Sequence, residues 1–271
     1  MSDTGGVAPP HPLNDGFTWT DHAGPFRVVT GAQAAAYDRD GFFVLDDAFD
    51  ADAVAAIRAE IDPLEAELEE LLRRTTEDGK VFIYRAGEIT FTTHLVTRST
   101  VLRDLVSSAP LADLAADLLG PEVRLYWDQA VYKKPGTEAP FPWHQDNGYT
   151  FVRPQQYLTC WIALTDVDET NGCPWVVPGL HRQGTLAHHE SDLGFVCLDE
   201  APDAVAVPAR AGSVVVFSSL TPHCTGANTT DEVRRAYIVQ YAPDGARTFG
   251  ADGSGTGTCD DPDRQFRVTS S

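Results

Sequence analysis

From residue 121 onward the chain reads as one short apolar run after another, each closed by a turn. The runs are VRLYWDQAVYKK, YLTCWIALTDV, CPWVVPG, AVAVPA, GSVVVFSS and RRAYIVQYA, with Gly, Pro and Asp between them. β-Branched and aromatic residues dominate these runs, as half-buried strands require. No convincing helix is predicted in this half. Many short strands joined by turns read as a sandwich or barrel of the jelly-roll type.

The residues before that point have a different texture. DADAVAAIRAEIDPLEAELEELLRR, residues 50–74, places Val54, Ile57 and Ile61 on one helical face. Pro63 has no amide to donate and clashes with the preceding turn, so a break or kink is predicted there. Leu64, Leu68, Leu71 and Leu72 then continue the apolar stripe. A second helical pattern over 100–119 carries Leu111, Leu114 and Leu118 and stops at Gly120-Pro121. The expected fold class is mainly β with flanking helices. With no internal repeat and no linker, one domain over 1–271 is expected. It divides into an arm (1–24, flexible or wrapping), a helix-rich flank (25–120), the β core (121–243) and a loop-like tail (244–271), disordered or folded over the site.

Composition narrows the partners. Forty acidic against twenty basic side chains give a net charge of −20, which disfavours nucleic acid or an anionic membrane surface. No stretch approaches the roughly 20 apolar residues needed to span a bilayer. Five scattered cysteines, an odd number with no CxxC pair, predict reduced, mostly buried thiols in a cytoplasmic protein. A monomer or homodimer acting on a small molecule is expected.

The chemistry begins at FPWHQDNGY, residues 141–149. In a strand, side chains at i and i+2 point the same way, so His144 and Asp146 share a side and Gln145 turns away. An imidazole and a carboxylate together make two legs of a metal site. The best third ligand is His223, which follows the strand-like GSVVVFSS. Two histidines and one carboxylate form the facial triad that holds non-heme Fe(II) and leaves positions open. His-x-Asp alone is a common tripeptide. What strengthens it is Arg234, eleven residues after His223, at the start of an apolar strand. A guanidinium there can grip a carboxylate through two parallel hydrogen bonds. Arg235 beside it is read as a surface partner of Asp231 or Glu232.

These elements resemble the phytanoyl-CoA dioxygenase family of Fe(II)/2-oxoglutarate-dependent oxygenases. The resemblance rests on WHQDNGY, on CWIALTDVDETNGCPWVVPGLH and on HCTGANTTDEVR, in that order and spacing. It covers residues 122–243 well and 40–243 loosely. It implies a double-stranded β-helix (a jelly-roll, cupin-like barrel), with Fe(II), 2-oxoglutarate as cosubstrate and O2. His144, Asp146 and His223 match the family's iron ligands, and Arg234 matches the arginine for the far carboxylate of 2-oxoglutarate. Thr225 sits where a serine or threonine supports that carboxylate. Trp161 matches an aromatic lining the cosubstrate pocket or serves as core, and Gln129 is a further candidate contact. His181 reads as part of a structural corner, His188 and His189 as exposed, and His94 as structural.

The resemblance further implies oxidative decarboxylation to succinate and carbon dioxide, then hydrogen abstraction from an unactivated C–H bond and hydroxylation. An aspartate at 146, not a small residue, favours oxygen transfer over halogenation. Desaturation, cyclisation and epimerisation start from the same abstraction. The rival from another class is a non-oxidative cupin-type isomerase or lyase, which has no need of Arg234. Pocket walls are expected from 80–98, 149–156, 182–200 and the tail, with Phe82, Tyr84, Phe91, Tyr149 and Phe151 as aromatic lining. Lys133, Lys134, Arg85, Arg98 and Arg153 could meet an anionic group, although each by itself reads as surface charge. A secondary-metabolite intermediate or amino-acid-like compound fits such a pocket better than an acyl-CoA.

Overall fold

The computed structural model describes residues 8–76, 78–250 and 252–268. Its centre is an antiparallel eight-stranded sheet. In spatial order the strands are Phe42–Leu45, Val214–Ser218, Leu158–Ala163, Arg234–Pro243, Val123–Lys133, Ile89–Thr93, Tyr84–Arg85 and Lys80–Val81. A four-stranded sheet of Val205–Ala206, Pro174–Val176, His223–Thr225 and Phe141–His144 lies opposite one face. The chain is therefore mainly β with some helices.

Strict alternation along the central strands sorts their side chains into two layers. Leu158, Cys160, Ile162, Val214, Val216, Tyr237 and Val239 join Ile57, Ile61, Leu102 and Leu114 of the helices in one apolar cluster. Trp161, Ala163, Val215, Phe217, Ala236 and Ile238 point the other way, toward Phe141 and Val176 of the smaller sheet. By the same parity Gln129, Val131, Arg234 and Gln240 belong to the interior between the sheets, whereas Arg235 belongs to the helix side. All five cysteines are buried and unpaired.

The helices depart from the sequence reading in three places. α1 (Gly31–Asp40) was not anticipated, although Thr30 and Gln33 form a reciprocal capping box and Gly41 ends the helix at φ 87°. α2 (Ala51–Thr75) runs unbroken through Pro63. Packing overrides the lost hydrogen bond there: Ile61 is fully buried, and Asp62 accepts from Tyr132 Oη at 2.5 Å. The expected helix over 100–119 is two, α3 (Thr100–Val106) and α4 (Leu111–Leu119), divided at Ser107–Pro110 because proline cannot continue the first. The second half also contains a four-residue helix, Asp146–Tyr149.

The segments read as loose at both ends are structured where described. Trp19 is buried against Tyr37 and His181. In the tail, Arg247–Phe249 and Gly255–Thr258 form a three-stranded sheet with Phe151–Arg153. Beyond it, Phe266 and Val268 hydrogen-bond along the strand edge at Leu125 and Val123. Polar composition hid these pairings, because backbone hydrogen bonds leave no side-chain signature. Among the described residues, no helix is long and apolar enough to cross a membrane.

Candidate active site

His144 ends its strand and faces His223, the first residue of the neighbouring strand, in direct cross-strand register. Their ring centroids lie 4.2 Å apart. Gln145 remains extended (φ −109°, ψ 141°) and Asp146 opens the short helix, so i and i+2 share a side as a strand would arrange them. One candidate ligand atom from each of His144, Asp146 and His223 falls within 4.8 Å of the others. All three line a cavity of about 430 Å³.

The hydrogen bonds orient each group. His144 Nδ1 meets the Pro142 carbonyl at 2.8 Å and His223 Nδ1 meets the Thr221 carbonyl at 3.0 Å. A carbonyl only accepts, so both rings carry their proton on Nδ1 and present an Nε2 lone pair inward. Burial holds both rings neutral, His144 pushed down to about 3 and His223 to about 4. Thr159 Oγ1 donates to Asp146 Oδ2 at 2.5 Å, leaving Oδ1 toward His223 Nε2 at 3.9 Å. Burial raises the Asp146 carboxyl, and the neighbouring His144 and the hydrogen bond from Thr159 work the other way. Two neutral imidazoles and one carboxylate are the donor set that suits ferrous iron.

Across the interior, Arg234 is 1% exposed. Its Nη1 donates to the Val131 carbonyl at 3.2 Å, and its Cζ stands 5.5 Å from the Trp161 ring. Nε and Nη2 are buried without a partner among the described residues. Those two nitrogens form one edge of the guanidinium, the shape that grips a carboxylate bidentately. Burial lowers its pKa to about 10, so it remains a cation at neutral pH. A buried charge with two free donors fits the distant carboxylate of a keto-diacid. Trp161, Thr225 and Gln129 all line the cavity, with the Gln129 carbonyl taken by Trp127 Nε1 at 3.2 Å.

Some other sequence expectations need correction and some stand. His188 is not exposed: its Nε2 accepts from the Gln145 backbone N–H at 3.0 Å, and a side chain at Gly148 would run into its ring. Arg235 pairs with Asp62 at 3.3 Å, not with Asp231 or Glu232, because alternation aims it at the helices. Lys133 is fully buried beside Arg234, its amine lowered to about 7 first by burial and then by that charge. Its Nζ donates to the carbonyls of Ala139, Thr225 and Gly226. Lys134 pairs with Glu65 at 2.6 Å. Phe151 leaves the cavity to stack on His11 and meet Phe249 edge to face, while Phe82, Tyr84, Phe91 and Tyr149 line it. No described residue of the tail lines it. His94 sits outside it against Trp127 and Arg264, and His181 is buried under Trp19.

The sequence reading missed Thr159 and Gln240, whose Nε2 reaches Thr159 Oγ1 at 3.4 Å. Both lie at even offsets from Trp161 and Arg234, a signal that strand parity carries. It also left Gln145 without a task. Its buried side chain donates to the Gly184 and Leu220 carbonyls at 3.0 and 2.5 Å and accepts from Leu186 N at 2.6 Å. It thereby ties the loops before His223 and before His188 to the peptide between His144 and Asp146.

Two facing antiparallel sheets around such a set of groups define the chain as a non-heme iron, 2-oxoglutarate-dependent oxygenase, and known proteins agree. The model of the phytanoyl-CoA dioxygenase family matches residues 37–236. An ectoine dioxygenase of Bordetella bronchiseptica is 30% identical over 241 residues, covering 79% of this chain and 75% of that protein. The epimerase SnoN, solved with Fe3+, α-ketoglutarate and nogalamycin RO, superposes with TM-score 0.67 at 26% identity, covering 88% and 97% of the two chains. The carbocyclase SnoK from nogalamycin biosynthesis gives TM-score 0.67 at 28% identity, covering 83% and 89%. The chain belongs to the phytanoyl-CoA dioxygenase family, whose members use Fe(II), 2-oxoglutarate and O2.

Proposed function

We propose that this chain hydroxylates an unactivated C–H bond of a small or medium-sized organic molecule, with release of succinate and carbon dioxide. In this reading residues 1–271 form one domain, and its facing sheets are a double-stranded β-helix. His144, Asp146 and His223 hold the iron. Arg234 grips the far carboxylate of 2-oxoglutarate, with Thr225, Trp161 and Gln129 around it. The observation that carries the reading is the convergence of the three ligand atoms, together with a buried guanidinium of the same interior that keeps two unpartnered N–H groups.

Bound there, ferrous iron with 2-oxoglutarate and dioxygen supplies the oxidising power that breaks the C–H bond. The protein's own residues position and exclude. The Pro142 and Thr221 carbonyls fix the two imidazoles, and Thr159 fixes the carboxylate, so the donors need little reorganisation. Trp161 and Val131 hold Arg234 flat, which sets the direction of the keto-diacid. The aromatic wall holds the substrate and keeps water out. Because the oxidant is indiscriminate, that placement decides which bond is broken.

A second reading, epimerisation or ring closure, is favoured by the similarity to an epimerase and a carbocyclase. Substrate-dependent succinate release tests the shared chemistry, and labelled dioxygen separates the outcomes. Hydroxylation puts the label in the organic product; epimerisation or closure leaves that product unlabelled. No charge-transfer band on anaerobic addition of Fe(II) and 2-oxoglutarate would reject both readings.

A further inference from the structure

Resting on the reading that iron and 2-oxoglutarate take the deep end of the cavity, we propose that its outer part binds an uncharged, flat, polycyclic aromatic substrate bearing hydroxyl or carbonyl groups. The walls are rings: Phe82, Tyr84, Phe91, Tyr126, Trp127 and Tyr149 among them. Several meet edge to face, Tyr84 on Phe91 at 5.8 Å and Tyr149 on Phe195 at 5.2 Å. Such pairs leave ring faces to stack on a flat guest.

Charge is the deciding feature. Among the described residues lining the cavity there is no lysine or arginine, and the only carboxylate is Asp146. Arg234 is taken by 2-oxoglutarate in this reading, and the other nearby cations are engaged elsewhere. Lys134 pairs with Glu65, Arg98 with Glu67 and Arg264 with Asp261. Arg85 donates to the backbone carbonyls of Phe82, Tyr84 and Asp192. Arg153 packs on Phe151 and Phe249. An anionic guest would lose its hydration and meet no countercharge. Neutral hydrogen-bonding groups are present instead, in Thr93, Gln129, Thr150 and the tyrosines.

The apolar surface also continues past the mouth. Phe82 is 52% exposed, meets Phe195 at 6.1 Å and is held at φ 49°, a conformation unusual for a side chain of that bulk. A guest that stacks inside and extends under Phe82 would cover it.

The test uses the full chain with a dihydroxyanthraquinone and its ring-carboxylated counterpart as probes. Binding is read by quenching of tryptophan fluorescence at neutral pH, anaerobically, with saturating Fe(II) and 2-oxoglutarate so that Arg234 is occupied. The neutral probe is expected to bind at least about tenfold more tightly, because the carboxylate has no partner in the wall. Thr93→Arg puts a cation into that wall and is expected to reverse the order, while Tyr84→Leu weakens the neutral probe. Equal affinities, preference for the carboxylate, or no binding of either probe by the native chain would overturn the proposal. The quenching does not depend on the charge-transfer band. Loss of that band with the preference intact therefore rejects the iron reading and spares this one.

Discussion

His188 accepts the backbone N–H of Gln145 at 3.0 Å, so a residue 43 positions away fixes the peptide between His144 and Asp146. The ring is held at both ends, its Nδ1–H donating to the Leu186 carbonyl at 2.9 Å. Its removal frees the N–H of the one residue whose extended conformation aims both neighbours inward. His188→Ala is expected to weaken Fe(II) binding by about 10–100-fold, the range for lost support behind metal ligands. His188→Gln, which keeps an acceptor, is expected to recover part of it. Anaerobic metal titration checks this, with circular dichroism as the control for folding.

Gly148 gives the same contact a second test. A Cβ there would be driven into the His188 ring, which cannot swing away without breaking two hydrogen bonds. Gly148→Ala is expected to cost about 1–3 kcal/mol, as overpacking of a buried site does. It is also expected to lower metal affinity, whereas Gly31→Ala, with open space around it, leaves metal affinity unchanged. Denaturant unfolding and metal titration read the two effects separately.

The two ends of the proposed cosubstrate site separate by mutation. His144→Ala or His223→Ala is expected to abolish the visible band formed anaerobically with Fe(II) and 2-oxoglutarate. Arg234→Ala is expected to leave Fe(II) binding and raise the 2-oxoglutarate dissociation constant by about 100-fold, the worth of a bidentate charge-assisted pair. An unchanged band in His144→Ala removes that residue as a ligand.

Asp128 makes stability depend on pH. Its Oδ2 accepts from Tyr237 Oη at 3.0 Å and Val96 N at 3.2 Å, while Oδ1 is buried without a partner. Burial raises its pKa to about 6, with the Tyr237 hydrogen bond opposing. The folded state thus holds this proton more tightly than the unfolded state. The contribution to stability is greatest below about pH 4 and is lost as pH rises through 6. The loss amounts to about 3 kcal/mol. Asp128→Asn is expected to raise the Tm by on the order of 5 °C at pH 7.5 and to flatten the profile between pH 4 and 6. Thermal unfolding across that range checks it.

Much of the site was legible because strand geometry is periodic. Once Arg234 is placed on an apolar strand, alternation alone puts it inside and Arg235 outside, with Trp161 and Ile238 facing the same interior. The same rule reaches Thr159 and Gln240. The partners of those side chains were not legible. Arg235 meets Asp62, 173 positions earlier, and Lys133 meets the carbonyls of a loop more than 90 positions later.

By itself the sequence determined the run of core strands, the apolar face of the long helix and the types of group available for chemistry. It did so through local rules: period two, period 3.6, caps and turns. Only the tertiary structure decided that His188 would stand behind the His144–Asp146 peptide, that Pro63 would be carried within a helix, and that no lysine or arginine among the described residues would line the cavity. Those outcomes depend on burial and on hydrogen bonds between distant segments, and such contacts leave no periodic trace along the chain.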